Sequence, residues 1–282
     1  MTAFETFIQK CLQFTMEKPG LYGTWHIVSI LLTVALTVCA VLFLRNISDK
    51  KMRIIMFVAW FIMVFFEVGK QLLFSMRVEG DVAIWQYNWY SFPFQFCSTP
   101  FYTLPFIFLL KDCKLRRAIM SYIATFSLFA GIIVMILPTS VFNTYTFINT
   151  QTMVHHGMQV VLGAWMAAYN RSRLNLPFAA SGLITFAGFS SVAMILNVTM
   201  PKFLAEKGID TAFNMFYISP YYNNDLPVLS VIYPQVPYPV YLIIYFLGFG
   251  LAASIIYASE KGIVALTLRK KNCAQDQTET QQ

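Results

Sequence analysis

The chain has 282 residues, of which 57% are hydrophobic, 17% aromatic and only 12% charged, and its mean hydropathy is +0.60. Soluble domains carry about twice that charge, and one this apolar could not cover its own surface. A cytosolic enzyme is therefore excluded, and so is a disordered chain, which needs low hydrophobicity and high charge. The net charge of +7 sits in short clusters between apolar stretches, as topology signals do, so no nucleic-acid partner is implied. The five cysteines are scattered without a CxxC pair, which is neither a zinc framework nor a disulfide scaffold.

In chain order, residues 1–20 read as an amphipathic interfacial helix. Phe4, Phe7, Ile8, Cys11, Leu12 and Met16 share one helical stripe, and Pro19-Gly20 ends it. An ordinary helix packed on the bundle is the competing reading. These first twenty residues do not read as a signal peptide, because no apolar core precedes a small-residue cleavage site within them. A transmembrane domain is expected over 21–260. A span needs about 20 mostly apolar residues, and seven are read at roughly 25–44, 53–74, 93–110, 118–137, 151–170, 177–197 and 238–258. An outer cap segment, 198–237, separates the last two. Its prolines (Pro201, Pro220, Pro227, Pro234, Pro237) argue against a long regular helix, and its tyrosines suit the headgroup region. A polar tail, 261–282, closes the chain and reads as disordered at its end. No internal repeat is visible. The fold class is thus all-α, a polytopic membrane protein of seven transmembrane helices.

Lys and Arg set the orientation. One side of the membrane receives Arg45, Lys50, Lys51 and Arg53, then Lys111, Lys114, Arg116 and Arg117, then Arg171 and Arg173, then Lys261, Arg269, Lys270 and Lys271. The other receives only Lys10, Lys18, Arg77, Lys202 and Lys207. The N-terminus is expected outside and the C-terminus in the cytoplasm.

Polar and ionisable residues inside spans are costly and mark candidate sites. Glu67, Lys70 and Gln71 share a face near the outer end of span 2. Cys97 and the pair His155/His156 each fall about four residues, or ~6 Å, below the outer start of spans 3 and 5. Gln159 is one turn further on, and Gln95, His26 and Asn197 lie at outer span ends. These residues share a depth, while the inner halves are almost bare of such groups. Each also has a plain reading. Glu67 and Lys70 neutralise each other, His26 anchors at the interface beside Trp25, Asn197 caps its helix, and a buried Cys behaves as a small apolar residue. His155 and His156 point about 100° apart, so at most one faces a given partner squarely.

A cysteine nucleophile works as its thiolate beside a base, and histidine is the usual base. Cys97 and one of the two histidines have matched depth. Pro93, Pro100 and Pro105 make span 3 a poor structural helix and a plausible pocket wall. Zinc is not expected, because HxxxH is absent and span 7 lacks histidine. HExxH, GxSxG, P-loop and dinucleotide fingerprints are missing as well.

These residues resemble those of the YwaF-like bacterial integral membrane proteins, related to the eukaryotic transmembrane protein 164 family. The resemblance lies in Phe66-Glu67, in Pro93-Phe94-Gln95-Phe96-Cys97-Ser98, in His155 standing 58 residues after Cys97, and in Asn214-Met215-Phe216-Tyr217 with Pro220 and Pro237-Tyr238-Pro239-Val240-Tyr241. It implies a seven-span fold in a bacterial plasma membrane and an acyltransferase that remodels glycerophospholipids through a Cys97/His155 pair. Gln95, Gln159 or Lys70 would then stabilise an oxyanion or hold a phosphate, with Glu67 orienting Lys70. His156, Asn197 and Asn214 would support the site, and 214–241 would cover it. Membrane lipids are the expected partners, with no cofactor and no metal. A transporter or flippase, and a non-enzymatic sensor or assembly partner, are the alternative readings of the same polar cluster.

Overall fold

The structure, a computed structural model, describes residues 1–224 and 226–279, with side chains through 266. Helix α1 (Ala3–Phe7) runs into a π turn at Ile8–Leu12. The expected amphipathic stripe divides here. Ile8 and Leu12 are buried on Leu73, Met76 and Ile148, while Phe4 and Phe7 stay exposed. The helix stops well before Pro19, because Phe14 O and Met16 N bond to Thr146 and Thr144 in a short antiparallel bridge.

Helix α2 (Thr24–Phe43) buries only His26, Thr33 and Ala40, each two turns from the next. This narrow seam suits a helix otherwise facing lipid. Helix α3 (Asp49–Ser75), capped by the Ser48 hydroxyl, buries Met52, Met56, Ala59, Met63 and Glu67 along one stripe. Helical periodicity therefore aims Glu67 into the bundle. A β-hairpin follows, with β1 (Met76–Glu79) paired to β2 (Val82–Trp85). Gly80, at φ +61°, supplies the left-handed turn. Phe4 stacks on Trp85 and the Trp85 indole donates to Glu5, so the N-terminal helix docks on the hairpin.

The segment expected as span 3 is short and broken. A 3-10 turn at Phe96–Ser98 precedes α4 (Pro100–Leu109). Helices α5 (Lys114–Tyr122) and α6 (Leu128–Ile136) form one rod through a π turn at Ile123–Ser127. Helix α7 (Thr146–Tyr169) is largely buried, with α2, α3, α6 and the π turn around it. A Cβ on Gly163 would stand 2.9 Å from Ile123 O and 2.6 Å from Leu128 Cβ, so α7 meets the rod with its backbone. Helix α8 (Leu176–Glu206) continues through Pro201, beyond the end expected for span 6. The first residues of the expected cap are thus helix, at the loss of one backbone donor. The rest of the cap is divided: Phe213, Met215, Phe216 and Ile218 are fully buried, while Tyr221, Val228 and Val231 are exposed. Short α9 (Leu229–Ile232) leads to α10 (Tyr238–Glu279). This last helix carries on through the segment expected to be a disordered tail; residues 280–282 lie outside the described residues.

Five of these elements are long and apolar enough to cross a membrane: Thr24–Phe43, Asp49–Ser75, Lys114–Ile136, Leu176–Glu206 and Tyr238–Leu266. Phe96–Leu109 is apolar but shorter. Helix α7 is long enough but carries Asn149, Gln151, His155, His156 and Gln159. Its polarity sets it apart from the lipid-facing helices. The loops rich in Lys and Arg meet at one end of the bundle. There the buried Arg116 donates to Ile107 O and Asp49, Arg53 pairs with Asp49, and Arg173 reaches Asp112.

Candidate functional site

The polar cluster lies at the other end, where α3, the 3-10 turn and α7 meet. Its geometry starts from Pro100. Lacking an N–H, Pro100 can bond neither to Cys97 O in a 3-10 pattern nor to Phe96 O in an α pattern. Thr99 takes over the Phe96 carbonyl through its N–H and its hydroxyl, the latter at 2.9 Å. The Cys97 carbonyl is taken by α7: His155 Nε2 donates to it from 2.8 Å, and Gln159 Nε2 donates as well. A carbonyl oxygen has two lone pairs, so this one is saturated, and the turn that carries the thiol is fixed against α7.

A carbonyl can only accept, so His155 carries its proton on Nε2 and leaves Nδ1 with a lone pair. Nδ1 is buried and has no hydrogen-bond partner. His156 turns the other way, as adjacent residues on a helix must. Its Nδ1 donates to Thr152 O at 2.8 Å, and its buried Nε2 is unpartnered. Phe101 lies over His155 with ring centroids 5.0 Å apart.

On α3, Glu67 Oε1 accepts from both Lys70 Nζ (2.8 Å) and Gln71 Nε2 (2.7 Å). Gln71 Nε2 also donates to Ser91 O. Glu67 Oε2 and Gln71 Oε1 are buried without partners. Lys70 and Glu67 are the charged groups whose fields reach the Cys97 thiol, and the Lys70 field also reaches both histidines. Beside this group, between α3 and the 87–102 segment, lies a cleft of about 420 Å³.

The residues expected at one depth therefore fall into three sets. Glu67, Lys70, Cys97, His155, His156 and Gln159 form one cluster. Gln95, Asn197 and Asn214 do something else: they peg the buried loop. Gln95 donates to Asn214 O and accepts from Phe216 N. Asn197 makes the same two-way contact with Met215 N and O. Asn214 bonds Asn223 O and Ser219 N. Gln95 thus spends its amide oxygen and one amide N–H on this loop. His26 stands apart, accepting from Tyr22 N and donating to Met135 O. It is wholly buried and links the start of α2 to α6.

Sequence reasoning missed Asn224, which donates to Tyr217 O and Tyr241 and accepts from Leu226 N. It also missed the Thr99–Tyr122 hydroxyl pair at 2.8 Å. Pro100 was the available signal for Thr99, since the freed carbonyl required a local donor. Among the described residues, no three of His, Cys, Asp and Glu are placed to hold a metal ion.

The fold and its buried polar cluster define a multi-pass integral membrane protein with one polar centre set in an apolar helical bundle. The chain belongs to the TMEM164 family, which it matches over residues 21–257. No curated protein and no solved structure matches it.

Proposed function

We propose that the cluster transfers acyl chains between glycerophospholipids in the outer leaflet of a bacterial plasma membrane, with all seven helical segments read as spans. Cys97 is the nucleophile and His155 the base. The thiol proton passes to His155 Nδ1, and the thiolate attacks an ester carbonyl of the donor phospholipid. The tetrahedral intermediate expels the glycerol oxygen of a lysolipid, which takes the proton from His155 and leaves a Cys97 acyl-thioester. The hydroxyl of a second lysolipid then gives its proton to His155 Nδ1, attacks the thioester and restores the thiol. Lys70, held by Glu67, faces the developing oxyanion or the phosphate. Gln159 and the His155 Nε2–H hold the Cys97 turn in place, which reduces the reorganisation the reaction needs.

The observation that carries this reading is the free, buried Nδ1 of a histidine clamped to the cysteine's own turn. Against a transport path, Tyr122, Phe126, Trp165 and Phe186 fill the apolar core of the bundle, all fully buried. The test is transfer to an isotope-labelled lysophospholipid by purified wild-type protein and by Cys97→Ala, followed by mass spectrometry. Labelled diacyl product from the wild type alone is expected. Equal transfer by both proteins discards the cysteine mechanism, and no transfer by either discards the enzyme.

A further inference from the structure

Tyr122 is wholly buried at the end of α5, where the π turn begins. Its ring stacks on Phe126 at 5.7 Å and lies against Phe189. A phenylalanine would fill this aromatic setting equally well, and a buried phenol costs more to remove from water. What the hydroxyl adds is its pairing with Thr99 Oγ1 at 2.8 Å. The direction of that bond follows from the next one. Thr99 Oγ1 has one proton and gives it to Phe96 O at 2.9 Å, an atom that can only accept. Tyr122 is therefore the donor to Thr99. The result is a relay of two hydroxyls ending on the Phe96 carbonyl, and in an apolar interior such bonds strengthen one another. The Thr103 hydroxyl holds the Thr99 carbonyl from below at 3.0 Å.

The Phe96 carbonyl belongs to the peptide plane on one side of the Cys97 Cα, and the Cys97 carbonyl to the plane on the other. The first is held from α5 by Tyr122 through Thr99. The second is held from α7 by His155 and Gln159. The two soft backbone dihedrals of a residue lie between its flanking planes, so fixing both planes fixes the direction in which Cys97 projects its thiol. We propose that Tyr122 is a positioning residue for Cys97: its hydroxyl, acting through Thr99, sets the peptide plane that precedes the cysteine, and so completes from α5 the clamp that His155 makes from α7. Neither wall sets the thiol by itself. Tyr122 touches no reacting atom, and its effect on the reaction passes entirely through the Thr99 hydroxyl.

This inference rests on the acyl-transfer reading, but one of its two readouts needs no turnover. Tyr122→Phe keeps the ring stack and removes only the donor. In protein whose other four cysteines are serine, the infrared S–H stretching band of Cys97 reports how many settings the thiol adopts. The band should broaden in Tyr122→Phe. It should stay unchanged in Tyr245→Phe, which removes a buried hydroxyl that has no partner. In the transfer assay with labelled lysophospholipid, Tyr122→Phe should lower kcat about tenfold and leave KM within about twofold. Thr99→Val should match that loss, Thr99→Ser should keep the wild-type rate, and Tyr122→Phe added to Thr99→Val should cost nothing more. If Tyr122→Phe does not fold, Thr99→Val against Thr99→Ser decides by the same band. An unchanged band, or losses that add in the double variant, overturns the proposal whatever the unfolding temperature does. A broadened band in a protein that transfers no acyl chain would instead keep Tyr122 as the support of Cys97 and remove the chemistry.

Discussion

His155 meets Cys97 at its carbonyl oxygen, 2.8 Å away, and not at its sulfur. The imidazole is therefore a clamp on the turn in this state, with its second nitrogen still unengaged. These two duties separate experimentally. His155→Gln keeps an N–H donor for the Cys97 carbonyl but has no base. Transfer should fall about 10²–10⁴-fold while the unfolding temperature stays near that of wild type. Retained activity in this variant would reduce His155 to a structural part.

The buried loop gives a second prediction. Phe216 and Tyr217 both have positive φ, a conformation that costs a non-glycine residue about 1 kcal/mol or more. Amide side chains hold the loop there. Asn197→Ala strands the N–H of Met215 in the core and leaves its C=O only the long 3.4 Å bond from Ile218 N. It should destabilise the protein by about 2 kcal/mol, measured by denaturant unfolding in detergent, and expose the 214–224 loop to protease. An unchanged midpoint would show that the pegs are dispensable.

Helix contact at the π turn gives a third. Gly163→Ala drives a methyl into the Ile123 carbonyl and Leu128, and backbone cannot swing aside as a side-chain tip does. A loss of about 1–3 kcal/mol is expected. Gly188→Ala, where a Cβ meets nothing within 4 Å, should be neutral or slightly stabilising. Similar unfolding curves for the two variants would refute the close approach.

Orientation is tested with thiols. Cys11 is exposed on the N-terminal segment, and Cys113 lies in the loop beside Asp112. In single-cysteine variants, a membrane-impermeant maleimide applied to intact cells should label Cys11 and spare Cys113 until the membrane is opened. The reverse pattern would invert the positive-inside assignment.

Most of the helical framework was legible because apolarity and length report directly on lipid-facing spans; α2 lies within one residue of its expected bounds. The hairpin was also written in the chain, as Gly80-Asp81 between short runs rich in β-branched and apolar residues, but a search for spans passes over it. What composition could not supply was partner choice. Gln95, Asn197 and Cys97 share a depth, which sequence gives. Whether an amide faces a thiol or a backbone depends on helix rotation, which packing decides. The extension of α8 through Pro201 is of the same kind, since a proline's local cost is outweighed where tertiary contacts hold the helix on both sides.

The polarity of α7 has a consequence for how the molecule is made. A helix bearing two histidines, an asparagine and two glutamines partitions poorly into lipid by itself. Its neighbours α2 to α6 leave the ribosome first. They offer it the Thr33 seam, the π-turn groove opposite Gly163 and a Cys97 carbonyl that Pro100 has left without its helical donor. Placement of α7 in the bundle is then a docking event rather than a partitioning event, and the bonds that seat it are those that assemble the polar cluster. Seating α7 and forming the polar centre become one step, so a chain that fails to build the centre also fails to hold α7 in the bundle.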